Sequence, residues 1–255
     1  MTVRPVCRSV SRVYALPTSC LLWGALTGLL VLRAAYRLSV EPAQPWRLTC
    51  QEGHVFAPGP RGWVGMTPCG TCAPAGRPGW AAAVATALCC VGLAEAVGTR
   101  PELAVWLLLT PPLVLLALVD ARVHRLPDRL TLPLAAGVPV LLGLVALLPG
   151  STGSWPRALV GGLTLGGVYA VLFLINPNGM GLGDVKLAVP LGVALGWYGW
   201  DVLFLGAFAG FVLGAVYGIG LVLLRRANRK SAIPFGPFMI AGAMAGLLLG
   251  AAAAA

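Results

Sequence analysis

Gly179-Met180-Gly181-Leu182-Gly183-Asp184-Val185-Lys186 lies between two long apolar runs and places a carboxylate and an ammonium where a membrane helix should begin. Glycine is a poor helix former, so Gly179, Gly181 and Gly183 do not serve helix stability. They suit a place where the backbone turns sharply or lets another segment come close. An acidic residue at a membrane boundary is costly and marks a candidate functional site. The plainer reading is a polar loop with Asp184 as a helix N-cap. The rest of the chain decides between the two.

The apolar runs on either side set the fold class. The chain is 58% hydrophobic and 10% charged, with a mean hydropathy of +0.86. A soluble domain carries about 25% charge. The expected fold is therefore all-α, a polytopic membrane helical bundle. The net charge of +10 first serves orientation in such a protein. No basic stripe interleaved with aromatics supports nucleic-acid binding. The cysteines number seven, with Cys89 and Cys90 adjacent inside an apolar run, which does not fit a secreted disulfide framework.

Working outward, the first span is read at Ser19–Tyr36, behind Arg4, Arg8 and Arg12. A secretory signal peptide is the alternative, but no small-x-small cleavage site follows the run. Further spans are read at 80–98, 103–119, 132–149, 158–175, 187–200, 202–224 and 236–254, judged against the ~20 residues that cross a bilayer. The run 187–200 is short and glycine-rich, so a partial or tilted span is expected there. Glycines at i, i+4 spacing in 158–175 and 202–224 favour close helix packing. Three regions follow: 1–38, tail and first span; 39–79, a loop rich in Pro, Gly and Arg; and 80–255, the membrane-embedded domain.

About eight spans put alternate loops on opposite sides. One side receives Arg33, Arg37, Arg47, Arg61, Arg77, Arg122, Arg125, Arg129, Lys186, Arg225, Arg226, Arg229 and Lys230; the other holds Arg4, Arg8, Arg12, Arg100 and Arg157. The positive-inside rule makes the first side cytoplasmic. The three N-terminal arginines oppose this for the first span, and the later loops outvote them.

Of eight acidic residues, Glu41 and Glu52 fall in the loop 39–79, Glu102 in a short external turn, and Asp201 at the external face, solvated. Glu95 lies within the second span, where a partner inside the bundle is one reading. Asp120, Asp128 and Asp184 remain, all at the cytoplasmic boundary. Pro127 favours a turn and puts Asp128 in position to cap the next helix. Asp120 ends a helix, where the macrodipole disfavours a negative charge. A residue placed against its local preference is a candidate for function. Two carboxylates at one membrane face suit aspartic-protease chemistry: one ionised acid takes a proton from water, the other donates to the scissile carbonyl, and close like charges make them share a proton. The helix dipoles predict the carboxylate at Asp184, the base, and the neutral acid at Asp120.

These residues resemble a known family. Ala117-Leu-Val-Asp120 through Leu126-Pro-Asp128-Arg-Leu-Thr-Leu-Pro133, then Gly179 to Leu187, then Ile233-Pro-Phe-Gly-Pro-Phe238, resemble the type IV prepilin peptidases, membrane aspartyl proteases of the GxGD class. The resemblance implies catalysis by Asp120 and Asp184, with Gly181, Gly183 and Lys186 in the substrate-facing loop. It implies cleavage of a short basic leader from prepilins or pseudopilins at the cytoplasmic face of the bacterial inner membrane, in pilus assembly or protein secretion, with no cofactor for the proteolysis. Many bacterial members also methylate the new N-terminus with S-adenosylmethionine. Their loop after the first span carries two Cys-x-x-Cys pairs. Here it reads Cys50-x3-His54 and Cys69-x2-Cys72, a partial match. Three thiolates and an imidazole suit a tetrahedral structural zinc site; a plain reduced loop is the alternative. Two further functions compete: a proton-coupled transporter that uses Asp120 and Asp184 as a relay, and a membrane thiol oxidoreductase that uses Cys69 and Cys72. Transporter sites lie near the midplane, often in inverted repeats, and the thiols are expected on the reducing side.

Overall fold

A computed structural model describes residues 7–41, 44–66, 69, 79–177, 179–225 and 233–254, with side chains from Tyr14 onward. The described residues form α1 (Cys7–Leu38), α2 (Trp80–Val97), α3 (Glu102–Val123), α4 (Asp128–Ala146), α5 (Trp155–Ile175), α6 (Leu182–Tyr198), α7 (Trp200–Leu223) and α8 (Gly236–Ala253). The all-α membrane bundle expected from composition is what is found. Seven helices are long and apolar enough to cross a membrane. The eighth is α6, with 17 residues.

The reason α6 can be short is its position. From Leu187 to Trp197 every residue but Val189 is buried, so this helix lies inside the bundle and not against lipid. Glycines on α5 let it in. A Cβ at Gly192 would stand 2.6 Å from the Gly161 carbonyl oxygen, and one at Gly161 would stand 2.8 Å from that of Gly192. The α5 and α6 backbones are thus in direct contact, as small residues at helix interfaces allow. A second such seam joins α7 to α8, where a Cβ on Gly242 would strike the backbone of Gly206 and Gly210. The close packing expected from glycine spacing holds at both, while Gly167 faces open space.

Three expectations about acids change. Glu102, expected in a short external turn, follows one but does not face solvent. It is the first residue of α3 and fully buried. The Thr152 hydroxyl donates to its Oε1 at 2.9 Å, and the Arg100 guanidinium stands 3.8 Å away. Thr152, fifty residues on in sequence, and the neighbouring Arg100 face its Oε1 in place of water. Glu95, for which a partner inside the bundle is one reading, is exposed in the last turn of α2. Asp128 does not cap α4. Pro127 is the N-cap residue and no side chain bonds the helix start. Asp201 is exposed as expected.

The segment 44–66 is folded against the bundle. Arg37 lies over the rings of Trp63 (3.9 Å) and Phe56 (5.2 Å), and donates to the carbonyls of Gly62 and Arg47. Trp46 meets Trp63 edge to face and lies under Arg129, 4.2 Å away, in the first turn of α4. Arg125 donates to the Glu41 carbonyl. The segment thereby joins the end of α1 to the α3–α4 turn, the neighbourhood of Asp120.

Candidate active site

Asp184 occupies the first turn of α6, three residues after the N-cap Gly181. Its Oδ2 accepts the Gly181 N–H at 3.1 Å. This is the carboxylate half of a capping box, so Asp184 is not itself the N-cap. The glycines nearby have separable roles. A Cβ at Gly183 would stand 2.8 Å from Cβ of Leu126, so glycine lets α6 begin directly against the α3–α4 turn. A Cβ at Gly181 would meet Asp184 Oδ2 at 3.5 Å, an ordinary contact, and its φ of −82° suits any residue.

Asp120 lies in the last turn of α3 and is 4% exposed; Asp184 is 8% exposed. The Gly236 N–H donates to Asp120 Oδ2 at 2.9 Å. Gly236 is the first residue of α8. Asp120 therefore stands at the C-terminal end of its own helix and at the N-terminal end of another. This removes the basis for assigning protonation from helix dipoles. Both carboxylates take an N–H from a helix start, and both feel the positive end of a dipole. They lie within electrostatic reach of each other, and Asp184 also of Tyr169 on α5. The chain thus gathers two buried carboxylates, from residues 64 apart, at one end of the bundle, where a water between them would meet both a proton acceptor and a proton donor.

Residues 107–219 match the type IV leader peptidase family. The resemblance is borne out over that region, which contains the first two motifs and both aspartates; Ile233–Phe238 lies beyond it. Among the relatives, a prepilin leader peptidase/N-methyltransferase of Aeromonas salmonicida is 40% identical over 148 residues, covering 56% of this chain and 48% of its own. The protein of that name from Pseudomonas aeruginosa is 36% identical over 172 residues, 66% of this chain and 57% of its own. One from Dichelobacter nodosus is 37% identical over 138 residues, 53% and 46%. The chain spans about half the length of the curated relatives it matches. No solved structure gives a significant match.

Within the matched region Lys186 and Asp128 form an ion pair at 2.7 Å, both side chains partly exposed. The pair ties the start of α6 to the start of α4, beside the contact of Gly183 with Leu126. Exposed pairs contribute about 0–1 kcal/mol. Asp128→Asn is accordingly expected to leave leader cleavage within a few-fold of wild type, measured by mass shift of a synthetic prepilin in membranes. A loss as large as that of an Asp184 variant would bring Asp128 into the catalytic group.

Outside the matched region, Thr49 pairs with Val55 to close a small hairpin. The ligand atoms of Cys50, His54 and Cys69 all lie within 4.8 Å of one another. His54 Nδ1 is 3.5 Å from Cys50 Sγ and 4.0 Å from Cys69 Sγ. Cys72, the fourth expected ligand, lies outside the described residues. Thiolate sulfur and imidazole nitrogen are the donors zinc prefers, so this group fits the metal.

Two residues of the site were not singled out in the sequence. Gly236 sits in Ile233-Pro-Phe-Gly-Pro-Phe238, quoted for its resemblance but given no role. Tyr169 sits in an apolar run with nothing local to set it apart from a lipid-facing aromatic.

Proposed function

We propose that this chain is a membrane aspartyl endopeptidase that removes the leader peptide from type IV prepilins or pseudopilins. The observation that carries the reading is the meeting of Asp120 and Asp184, buried, mutually in electrostatic reach, and each held by an N–H at a helix start. In this reading the pair shares one proton. The ionised member takes a proton from water, whose oxygen adds to the scissile carbonyl carbon. The protonated member donates to the carbonyl oxygen. On collapse the C–N bond breaks and a proton passes to the leaving amine. Gly181, Gly183 and Lys186 form the edge of α6 against which the substrate backbone is held. The excess of Lys and Arg around this end supports a cytoplasmic active site in the bacterial inner membrane, where a prepilin awaits export. The transporter reading gains no support: both acids lie at one end of the bundle, and the relatives carry a peptidase name. The test is incubation of membranes with a synthetic prepilin bearing a basic leader. Loss of the leader mass supports the reading; an intact substrate with correctly inserted protein refutes it.

For the loop we propose a structural zinc held by Cys50, His54 and Cys69, with Cys72 as fourth ligand. The metal would help to hold the segment 44–66 on the α3–α4 turn. Methylation of the new N-terminus by S-adenosylmethionine belongs to the same proposal, on the strength of the relatives' name as peptidase/N-methyltransferases. Purified protein is expected to contain about one metal per chain, and the Cys69→Ser, Cys72→Ser double variant none, by elemental mass spectrometry. A metal-free, fully folded wild type overturns the zinc site. Cleavage by the double variant is expected to persist, because carboxylates perform it.

A further inference from the structure

Tyr169 lies on the inner face of α5 and is 2% exposed. Three features set it beside the dyad. First, its ring packs against Phe235, with centroids 6.2 Å apart, and Phe235 directly precedes the Gly236 that holds Asp120. Second, Phe211 closes the other side of the cluster, 5.5 Å from Tyr169 and 5.1 Å from Phe235. The ring is thus fixed by packing. Third, α5 and α6 are in close contact one turn away, at Gly166 and Val189, and the Tyr169 hydroxyl is within electrostatic reach of Asp184.

The hydroxyl itself makes no hydrogen bond among the described residues. Buried tyrosine hydroxyls ordinarily find a partner. A phenylalanine would complete the same aromatic cluster without leaving a donor unused. What little surface Tyr169 keeps includes the hydroxyl, which is not among the sealed polar atoms. A group that enters the site can reach it.

We propose that Tyr169 is a third catalytic residue, whose hydroxyl donates a hydrogen bond to the oxygen of the scissile carbonyl as that oxygen gains negative charge. This rests on the peptidase reading. The tyrosine keeps its proton throughout; proton transfers remain with the two aspartates. Its contribution is electrostatic, a fixed donor aimed at developing charge in a site sheltered from water, which is where such a donor acts most strongly. The Phe211 and Phe235 rings give it that fixity without hydrogen-bonding the hydroxyl away.

The experiment compares Tyr169→Phe, Tyr169→Leu and Asp184→Asn in detergent-purified full chain, with kcat and KM for a synthetic prepilin and a melting curve for each. Tyr169→Phe keeps the ring and loses the donor. It is expected to melt like wild type, keep KM within about twofold, and lose kcat by about 10²-fold, the typical effect of one oxyanion donor. Tyr169→Leu is expected to melt at a lower temperature as well. A Phe variant with wild-type kcat, alongside an inactive Asp184→Asn, overturns the inference and leaves the peptidase reading intact. A Phe variant that loses activity only in step with its folded fraction overturns it too, by making the residue structural. Full cleavage by Asp184→Asn instead removes the reading on which the inference rests.

Discussion

If the chain cleaves prepilin leaders as proposed, Asp120→Asn and Asp184→Asn are each expected to lower cleavage by about 10³-fold or more while the protein still inserts and accumulates, the loss that follows removal of an acid–base group. Asparagine keeps the shape of the side chain and one acceptor oxygen. It can still take the N–H of Gly236 in one case and of Gly181 in the other. What it cannot do is gain or lose the shared proton. The two substitutions therefore separate chemistry from folding at positions where a larger change would confuse them. The assay is mass spectrometry of a synthetic prepilin, with protein in membranes quantified in parallel. Normal-rate cleavage by either variant would sink the two-carboxylate mechanism. Because the members act as a unit, the double variant is expected to be little worse than either single one.

Gly236→Ala should be almost as damaging to activity and nearly silent in stability. The added methyl would stand 2.8 Å from Asp120 Oδ2 and 3.2 Å from its carboxyl carbon, closer than such atoms settle. The Gly236 backbone has no positive φ, so alanine meets no strain of its own and is the better helix former. The cost falls on Asp120, which must swing away, or on the α8 start, which must back off. Misplacement of a catalytic group by about 1 Å costs on the order of 10²-fold in rate. The expected result is that loss in kcat with an unchanged melting temperature. Wild-type kcat would mean that the Gly236 N–H does not position Asp120.

The sequence made some of this legible and hid the rest for definite reasons. Runs of apolar residues announced every helix. The glycines of 187–200 marked α6 as unusual, and burial inside the bundle explains why it is short. Asp120 and Asp184 stood out because a carboxylate at a membrane boundary has few innocent uses. At three of these acids a local rule meets a distant residue that decides otherwise. Asp128 sits where a cap belongs, but Lys186, 58 residues on, binds it. Glu102 follows a turn, but Thr152, 50 residues on, bonds its carboxylate. Asp120 was read against its own helix dipole, while the dipole of α8 arrives from 116 residues away. Tyr169 has no local mark at all, since only the fold packs its ring against Phe235, next to the Gly236 that holds Asp120.

The bond between Gly236 and Asp120 also sets a timetable. Asp120 leaves the ribosome 116 residues before its partner. At about 5–20 residues per second, synthesis of the interval takes on the order of 6–23 s. During that time α3 is inserted but its aspartate lacks the N–H that orients it, and only delivery of α8 supplies it. Delivery of α8 thus completes the placing of Asp120, and on the peptidase proposal a nascent chain that has not yet inserted α8 is expected to be inactive.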